Sequence, residues 1–287
     1  GELRVDRFIA EAPVSGERRI MSLSGETHIS DGRAIVDAKG ATIPIEGKEG
    51  GDSFLVKLDA QPAKNRLGID LDLKAPTEGV IAALAGFTQP MDLALTGKGD
   101  WASWDGTLKG SYGGAPLADL ALRARDGTFQ VRGDTQVARL FEGPTAALLG
   151  PITRLDVTAA LAERSMAVKG EVSSDAFRLV PAGRIDLSDN TFEDFTLDFT
   201  LLSPSVLTEN LHGSGVDAHL ALDGAFATPS VDYEITAARL VMNDMGLQGF
   251  TARGAATVDA ERILIPVSAR VARITGLDAV AGGTLEQ

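Results

Sequence analysis

Apolar and polar residues alternate with a period of two along most of this chain. Leu67, Ile69, Leu71 and Leu73 alternate with Gly68, Asp70, Asp72 and Lys74. Leu155, Val157, Ala159 and Leu161 alternate with Asp156, Thr158 and Ala160. Phe195, Leu197, Phe199 and Leu201 alternate with Thr196, Asp198 and Thr200, and Val231, Tyr233, Ile235 and Ala237 with Asp232, Glu234 and Thr236. Ile263, Ile265, Val267, Ala269 and Val271 form a longer series. Successive side chains of a strand point to opposite faces, so each series predicts a strand with one apolar and one wet face. Strands of a helix-covered parallel sheet would read as unbroken apolar runs, and those are absent.

Turn residues punctuate the strands at hairpin spacing. Asp105-Gly106, Asp126-Gly127 and Asp223-Gly224 are predicted tight turns, because Asp-Gly supplies the positive φ such turns need. Ser188-Asp189-Asn190 predicts another. Helix is expected in three short pieces, over 77–86, 145–150 and 205–213, each opened by Pro and closed by Gly. Each piece runs into a strand carrying an Asp beside an apolar residue: Met91-Asp92-Leu93, Leu155-Asp156-Val157 and Val216-Asp217-Ala218. Ala83-Leu84-Ala85-Gly86 and Ala147-Leu148-Leu149-Gly150 lie the same distance before their Asp. The match predicts diverged repeat units over 76–143, 144–203 and 204–287. The expected fold is therefore all-β: a long antiparallel meander of short two-faced strands over 1–287 with a few short helices.

Composition narrows the function. Apolar residues make up 44% of the 287 residues but aromatics only 5%, which suits shallow repeated layers better than one thick core. The net charge of −13, with no Lys/Arg cluster, argues against a nucleic-acid partner. There is no cysteine, so disulfide, thiolate and cysteine–metal chemistry are excluded. No apolar run approaches the roughly 18 residues of a spanning helix; Val80 to Phe87 is the longest candidate. Gly1-Glu2-Leu3-Arg4-Val5-Asp6 reads as strand rather than leader, and the chain is expected to be a segment of a longer protein.

Catalytic and cofactor signatures fail one by one. G-x-S-x-G is missing. Gly47-Lys48 is followed by Glu49 where a P-loop needs Ser or Thr, and Gly97-Lys98-Gly99 is not continued as a dinucleotide fingerprint. His212 and His219 are seven apart with glycines between, and His219 falls on the polar face with Asp217, so both are expected on the surface rather than on zinc. Asp186, Ser188 and Asn190 suggest a calcium loop, but Thr191 and Leu197 occupy the two demanding positions; a polar hairpin tip is the better reading. Asp70 and Asp72 sit on a wet face, where a carboxylate gains no useful shift. Trp101 and Trp104 are expected to be packing anchors at a hairpin rather than a carbohydrate platform. No enzyme, cofactor or metal site is expected.

The apolar stripes could close as a two-sheet core or line an open groove. Their fairly uniform residue size and the absence of a Cys–Trp–Cys signature favour the groove. At this point the chain resembles the TamB/AsmA-type envelope proteins. Trp104-Asp105-Gly106-Thr107-Leu108-Lys109-Gly110, then Ala115-Pro116-Leu117-Ala118-Asp119-Leu120, is similar to that family's "W-x-G-x-L … P-L-x-x-L" cadence. Leu222-Asp223-Gly224, Pro229, Ala237-Ala238-Arg239-Leu240 and Gly254 are similar to its "L-x-G … P … A-x-x-L … G" units. The resemblance implies a periplasmic segment of an inner-membrane-anchored protein, one elongated, curved, antiparallel and solenoid-like sheet forming a trough with an apolar groove, and a role in moving phospholipid or assembling outer-membrane proteins. It implies phospholipid acyl chains as ligand, and an outer-membrane barrel partner of the TamA type reached through regions outside these residues. The expected groove residues are Leu67, Ile69, Leu71, Leu73, Leu155, Val157, Leu161, Phe195, Leu197, Phe199, Leu201, Val231, Tyr233, Ile235, Ile263, Ile265 and Val267. The alternative is a structural or adhesive β-solenoid stalk with a filled core.

Overall fold

A computed structural model describes residues 1–10, 19–30, 33–43, 51–61, 64–259, 262–263 and 267–276. The chain is all-β and antiparallel, and it divides into two compact units, Gly1–Leu140 and Phe141–Gln287. Unit 1 contains β1 (Glu2–Ala10), β2 (Arg19–Ser30), β3 (Arg33–Thr42), β4 (Ser53–Gln61) and β5 (Arg66–Ala75). After helix α1 (Val80–Ala85) come β6 (Met91–Gly99), β7 (Ser103–Tyr112), β8 (Ala115–Arg125), β9 (Thr128–Thr135) and a 3₁₀ turn over Val137–Leu140. Each strand pairs with the next in sequence, and β1 and β9 are not paired with each other, so this sheet stays open.

Unit 2 opens with α2 (Gly143–Leu149), followed by β10 (Thr153–Ala162), β11 (Ser165–Ser173), β12 (Phe177–Asp186) and β13 (Thr191–Leu201). A 3₁₀ turn over Pro204–Val206 leads to β14 (Leu211–Ala225), β15 (Ser230–Met242) and β16 (Met245–Asp259). Three short strands follow: β17 (Arg262–Ile263), β18 (Ser268–Arg270) and β19 (Arg273–Thr275), all paired to β16. Along the chain, a helical piece thus recurs after β5, β9 and β13, with four hairpin-joined strands in each of the two intervals.

The turns correct part of the sequence reading. Asp126-Gly127 is a tight turn, with φ of 45° and 79°, and residues 187–190 form the β12–β13 tip, where Asn190 has φ 54°. Asp105-Gly106 is not a turn: both residues lie inside β7, opposite Lys98 and Gly97. Asp105 is held there by arginines across the next strand, and the real turn precedes it, where the Asp100 carboxylate accepts N–H bonds from Ala102 and Ser103 at 2.8 and 2.6 Å. Asp223-Gly224 likewise lies within β14, and the chain reverses after it.

The helices are shorter than their signals. The expected 77–86 reduces to α1, which starts after Gly79 and ends at Gly86 in the left-handed conformation, φ 72°. Its free N-terminal donors are met by a residue far away in sequence. The buried Asp52 carboxylate, just before β4, accepts from Val80 N at 2.5 Å and Ile81 N at 3.3 Å. Gly79 permits this approach, since a Cβ there would lie 2.3 Å from Asp52 Oδ1. The 145–150 helix is α2, with Pro144 in its first turn and its last carbonyls taken by buried hydroxyls: Ser174 to Leu148 at 2.7 Å and Thr153 to Leu149 at 2.8 Å. The third, over 205–213, is a correction. The helical piece is confined to the 3₁₀ turn Pro204–Val206, and Leu211 is already strand opposite Met242. Gly213 and Gly215 weaken a helix there, and pairing with β15 satisfies the same backbone groups.

Of the long series from Ile263 to Val271, Ile263 lies in β17 and Ala269 in β18, while Val267 and Val271 lie in no strand. Just beyond the series, Ala272 N–H bonds to the carbonyls of Gln248 and Gly249 between β18 and β19, with the register to β16 unchanged.

Replacing Asp52 with Ala should leave the buried Val80 N–H and the partly buried Ile81 N–H unpaired and lower stability by about 1–3 kcal/mol. Thermal unfolding reads this as a melting temperature several degrees lower, with Asp52→Asn, which keeps an acceptor, intermediate. An unchanged melting temperature for Asp52→Ala would contradict the capping role.

Candidate functional site

Hairpin register turns the strand alternation into faces. Residues directly opposite in an antiparallel ladder point to the same side. In unit 1 one cross-strand row reads Leu3, Gly25, Ala38, Val56, Leu71, Leu95, Leu108, Leu120 and Gly133, with no polar residue in nine strands. The neighbouring row, one residue along, reads Glu26, Asp37, Lys57, Asp70, Thr96, Thr107, Ala121 and Arg132 over β2–β9. In unit 2 the row Leu155, Val172, Leu179, Phe199, Ala218, Ile235 and Ala252 crosses β10 to β16. Asp198 lies on the other side, with His219 and Glu234.

The apolar face of unit 1 is covered at its ends and half-open between them. At one end α1, Phe87 and the Val137–Leu140 turn bring side chains against Leu73, Ala75, Met91, Leu93, Tyr112 and Leu117. Tyr112 anchors this end through its hydroxyl, which accepts N–H bonds from Thr88 at 3.0 Å and Gln89 at 3.2 Å. Its bond with the Thr88 side chain, helped by these N–H groups, lowers the phenol pKa. Toward the other end the Trp104 ring lies flat on glycine. A Cβ on Gly97 would sit 1.8 Å from Trp104 Cζ2, and one on Gly106 would sit 2.4 Å from Cη2. Between these plugs Ile69, Leu71, Leu95 and Leu108 remain only half-buried.

In unit 2 the face is richer in aromatic rings. Phe177 and Phe199 stack with centroids 5.8 Å apart, and Phe192 contacts Phe195 at 5.4 Å and Phe226 at 4.8 Å. Phe177, Phe195 and Leu201 are buried. Leu155, Val157, Leu197, Phe199, Val231 and Tyr233 are half-buried. Leu161 and Ile235, in the same stripes, stay 40% and 38% exposed.

The opposite face is polar and laced by ion pairs. Arg33 donates to both oxygens of Asp59 at 2.8 and 2.7 Å, and Arg125 to both oxygens of Asp105 at 2.7 Å. Hydrogen bonding from Arg33 holds the Asp59 carboxyl down at about 2. The Asp59 contribution is therefore full above the ordinary carboxylate range and is lost as pH falls toward about 2. These pairs are exposed, so each adds little to stability. His219 Nδ1 lies 2.5 Å from Asp198 Oδ1 on this exposed side, in keeping with the surface reading. Asp186 does serve a hairpin tip: N–H groups of Asp189 and Ser188 lower its pKa. Among the described residues no group of three or more His, Asp or Glu could hold a metal ion.

The expected groove residues thus fall into two sets. Leu67, Ile69, Leu71 and Leu73 share the face of unit 1; those from Leu155 to Ile235 share the face of unit 2. Val267 lies in no strand and is 63% exposed, where the segment after β17 pairs only piecewise with β16. Ile263 belongs to β17, and Ile265 lies outside the described residues. The two tryptophans are not a matched pair. Trp104 is buried at 9% exposure, while Trp101 is 54% exposed on the turn before β7. Sequence reading missed the glycine shelf under Trp104; its signal was Gly97, Gly99 and Gly106 in the apolar phase of two consecutive strands.

No helix among the described residues is long and apolar enough to cross a membrane. No family model, curated protein or solved structure matches the chain.

Gly97→Ala should drive the Trp104 ring off the sheet. In a Trp101→Phe background, tryptophan emission should then shift to the red and stability fall by about 1–3 kcal/mol. Unchanged emission would show that the ring does not depend on the glycine shelf.

Proposed function

We propose that the apolar faces hold lipid acyl chains, shielding them from water in the periplasm during phospholipid transport between inner and outer membranes. The observation that supports this most is the uninterrupted apolar row across nine strands of unit 1, whose central leucines stay half-exposed between two covered ends. A soluble domain that closes its core leaves no such row uncovered, and large exposed apolar patches mark interaction surfaces. Each tail CH₂ removed from water contributes about 0.8 kcal/mol, so a chain lying over several strands binds without polar recognition. Branched aliphatic rows accept any saturated or unsaturated tail, which suits bulk transport rather than selection. The resemblance to TamB/AsmA-type proteins supports the envelope setting and a non-catalytic role in outer-membrane biogenesis. A barrel partner of the TamA type would be met outside these residues.

The test uses two adjacent positions on opposite faces. A photo-crosslinking residue at Phe199 should capture phospholipid in cells, while one at Asp198 should not. Phe199→Asp provides the matching functional variant. On an open face the carboxylate keeps access to water, so folding survives and lipid capture falls. In a filled core it would cost several kcal/mol and unfold unit 2. Unfolding by Phe199→Asp, with no lipid crosslink from Phe195, Leu197 or Phe199 positions, would sink the reading in favour of a filled stalk.

A further inference from the structure

We propose that Arg239 and Arg273 form a binding site for the phosphate of a lipid headgroup at the end of the apolar face of unit 2. The inference rests on the reading that this face holds acyl chains. β15 carries Val231, Tyr233, Ile235 and Ala237 on that face, and the next residue on the same side is Arg239. The register sets Ser214, Arg239, Gln248 and Arg273 in one cross-strand row over β14, β15, β16 and β19. At this level the strands flanking β15 change course together: Gly215 has φ 60° and Gly249 has φ 62°. The apolar stripe therefore gives way to a polar row at one defined line.

The charge state of this row is unusual for its surroundings. Residues 141–287 hold twice as many acidic as basic residues. Arg154, Arg178, Arg184 and Arg253 each lie within 3.7 Å of a carboxylate. Arg239 and Arg273 are exposed and have no such partner among the described residues, and their row contains no acid. Two strand spacings separate them, about 10 Å, a gap that two long guanidinium side chains close over one anion. Guanidinium forks match phosphate oxygens in bidentate geometry, and Ser214 and Gln248 add neutral donors. A lipid phosphate is favoured over a free one because the exposed Ile235 of the apolar face lies four residues along the same strand.

The experiment is titration calorimetry on the full chain, with monomeric dioctanoyl phosphatidylglycerol, dioctanoylglycerol and inorganic phosphate. The wild type should bind the phospholipid about tenfold or more tighter than dioctanoylglycerol, which has the same tails. Arg239→Gln/Arg273→Gln should erase that preference and leave dioctanoylglycerol binding unchanged, and each single variant should erase part of it. Arg270→Gln is the control. Arg270 is also exposed and has no carboxylate partner among the described residues, but it lies opposite Thr251, on the polar side. It should behave as wild type. A preference that survives in the double variant, or is lost equally in Arg270→Gln, overturns the site while the tail-binding reading stands. Inorganic phosphate binding as tightly as the phospholipid overturns the lipid assignment. If neither lipid binds the wild type, the acyl-chain reading fails, and this site fails with it.

Discussion

A two-faced sheet keeps its faces distinct only while its register holds. In this protein every strand from β1 to β9 and from β10 to β16 meets its sequence neighbour in antiparallel register, with local shifts in only a few pairs. A slip of one residue between β5 and β6 would set Asp70 or Asp72 opposite Leu95 and move Leu71 opposite Ala94 or Thr96. Short turns fix that register. Gly113-Gly114, Asp126-Gly127 and Asn243-Asp244 each join two strands by two residues, and the positive φ they contain matches the strand twist. The rows of leucine and the rows of charge are both consequences of this lock.

The same lock explains why coverage is confined to the ends. Strands joined by two-residue turns have no spare chain with which to build a second layer. Among the described residues, the connections after β5, β9 and β13 are the ones that fold back as helical pieces. Where one does, in α1, it needs help: six residues are too few to sustain a helix, and the Asp52 carboxylate supplies its N-terminal bonds. Elsewhere large rings are accommodated by removing side chains beneath them. Phe54 lies over Gly40 as Trp104 lies over Gly97 and Gly106. Among the described residues, neither a helix nor a ring is packed on the central aliphatic residues of unit 1.

The strands and their inward residues were legible because period-two alternation is a local property. Leu67 to Leu73 and Phe195 to Leu201 lie in strands and on faces as their spacing predicts. What was not legible depended on partners distant in sequence. Asp105-Gly106 has turn chemistry, yet Arg125, twenty residues on, holds Asp105 in a ladder. The Pro204 segment has a helix start, yet β15 claims Leu211 to Gly213. Val267 fits its alternating series, yet it lies in no strand, and its neighbours pair with β16 only in short stretches. Nothing local in Asp52 marks it as the cap of a helix 28 residues away. Spacing locates the faces, but how far each is covered depends on these long-range contacts.

The central claim is that an apolar face of this sheet is open to lipid rather than to another layer of protein. Native mass spectrometry of the chain, purified from Gram-negative cells without detergent, tests it most directly. The account predicts adducts of phospholipid mass, bound one or more per chain and displaced by added detergent. A spectrum of bare protein alone, from a sample whose folding is confirmed, would contradict it.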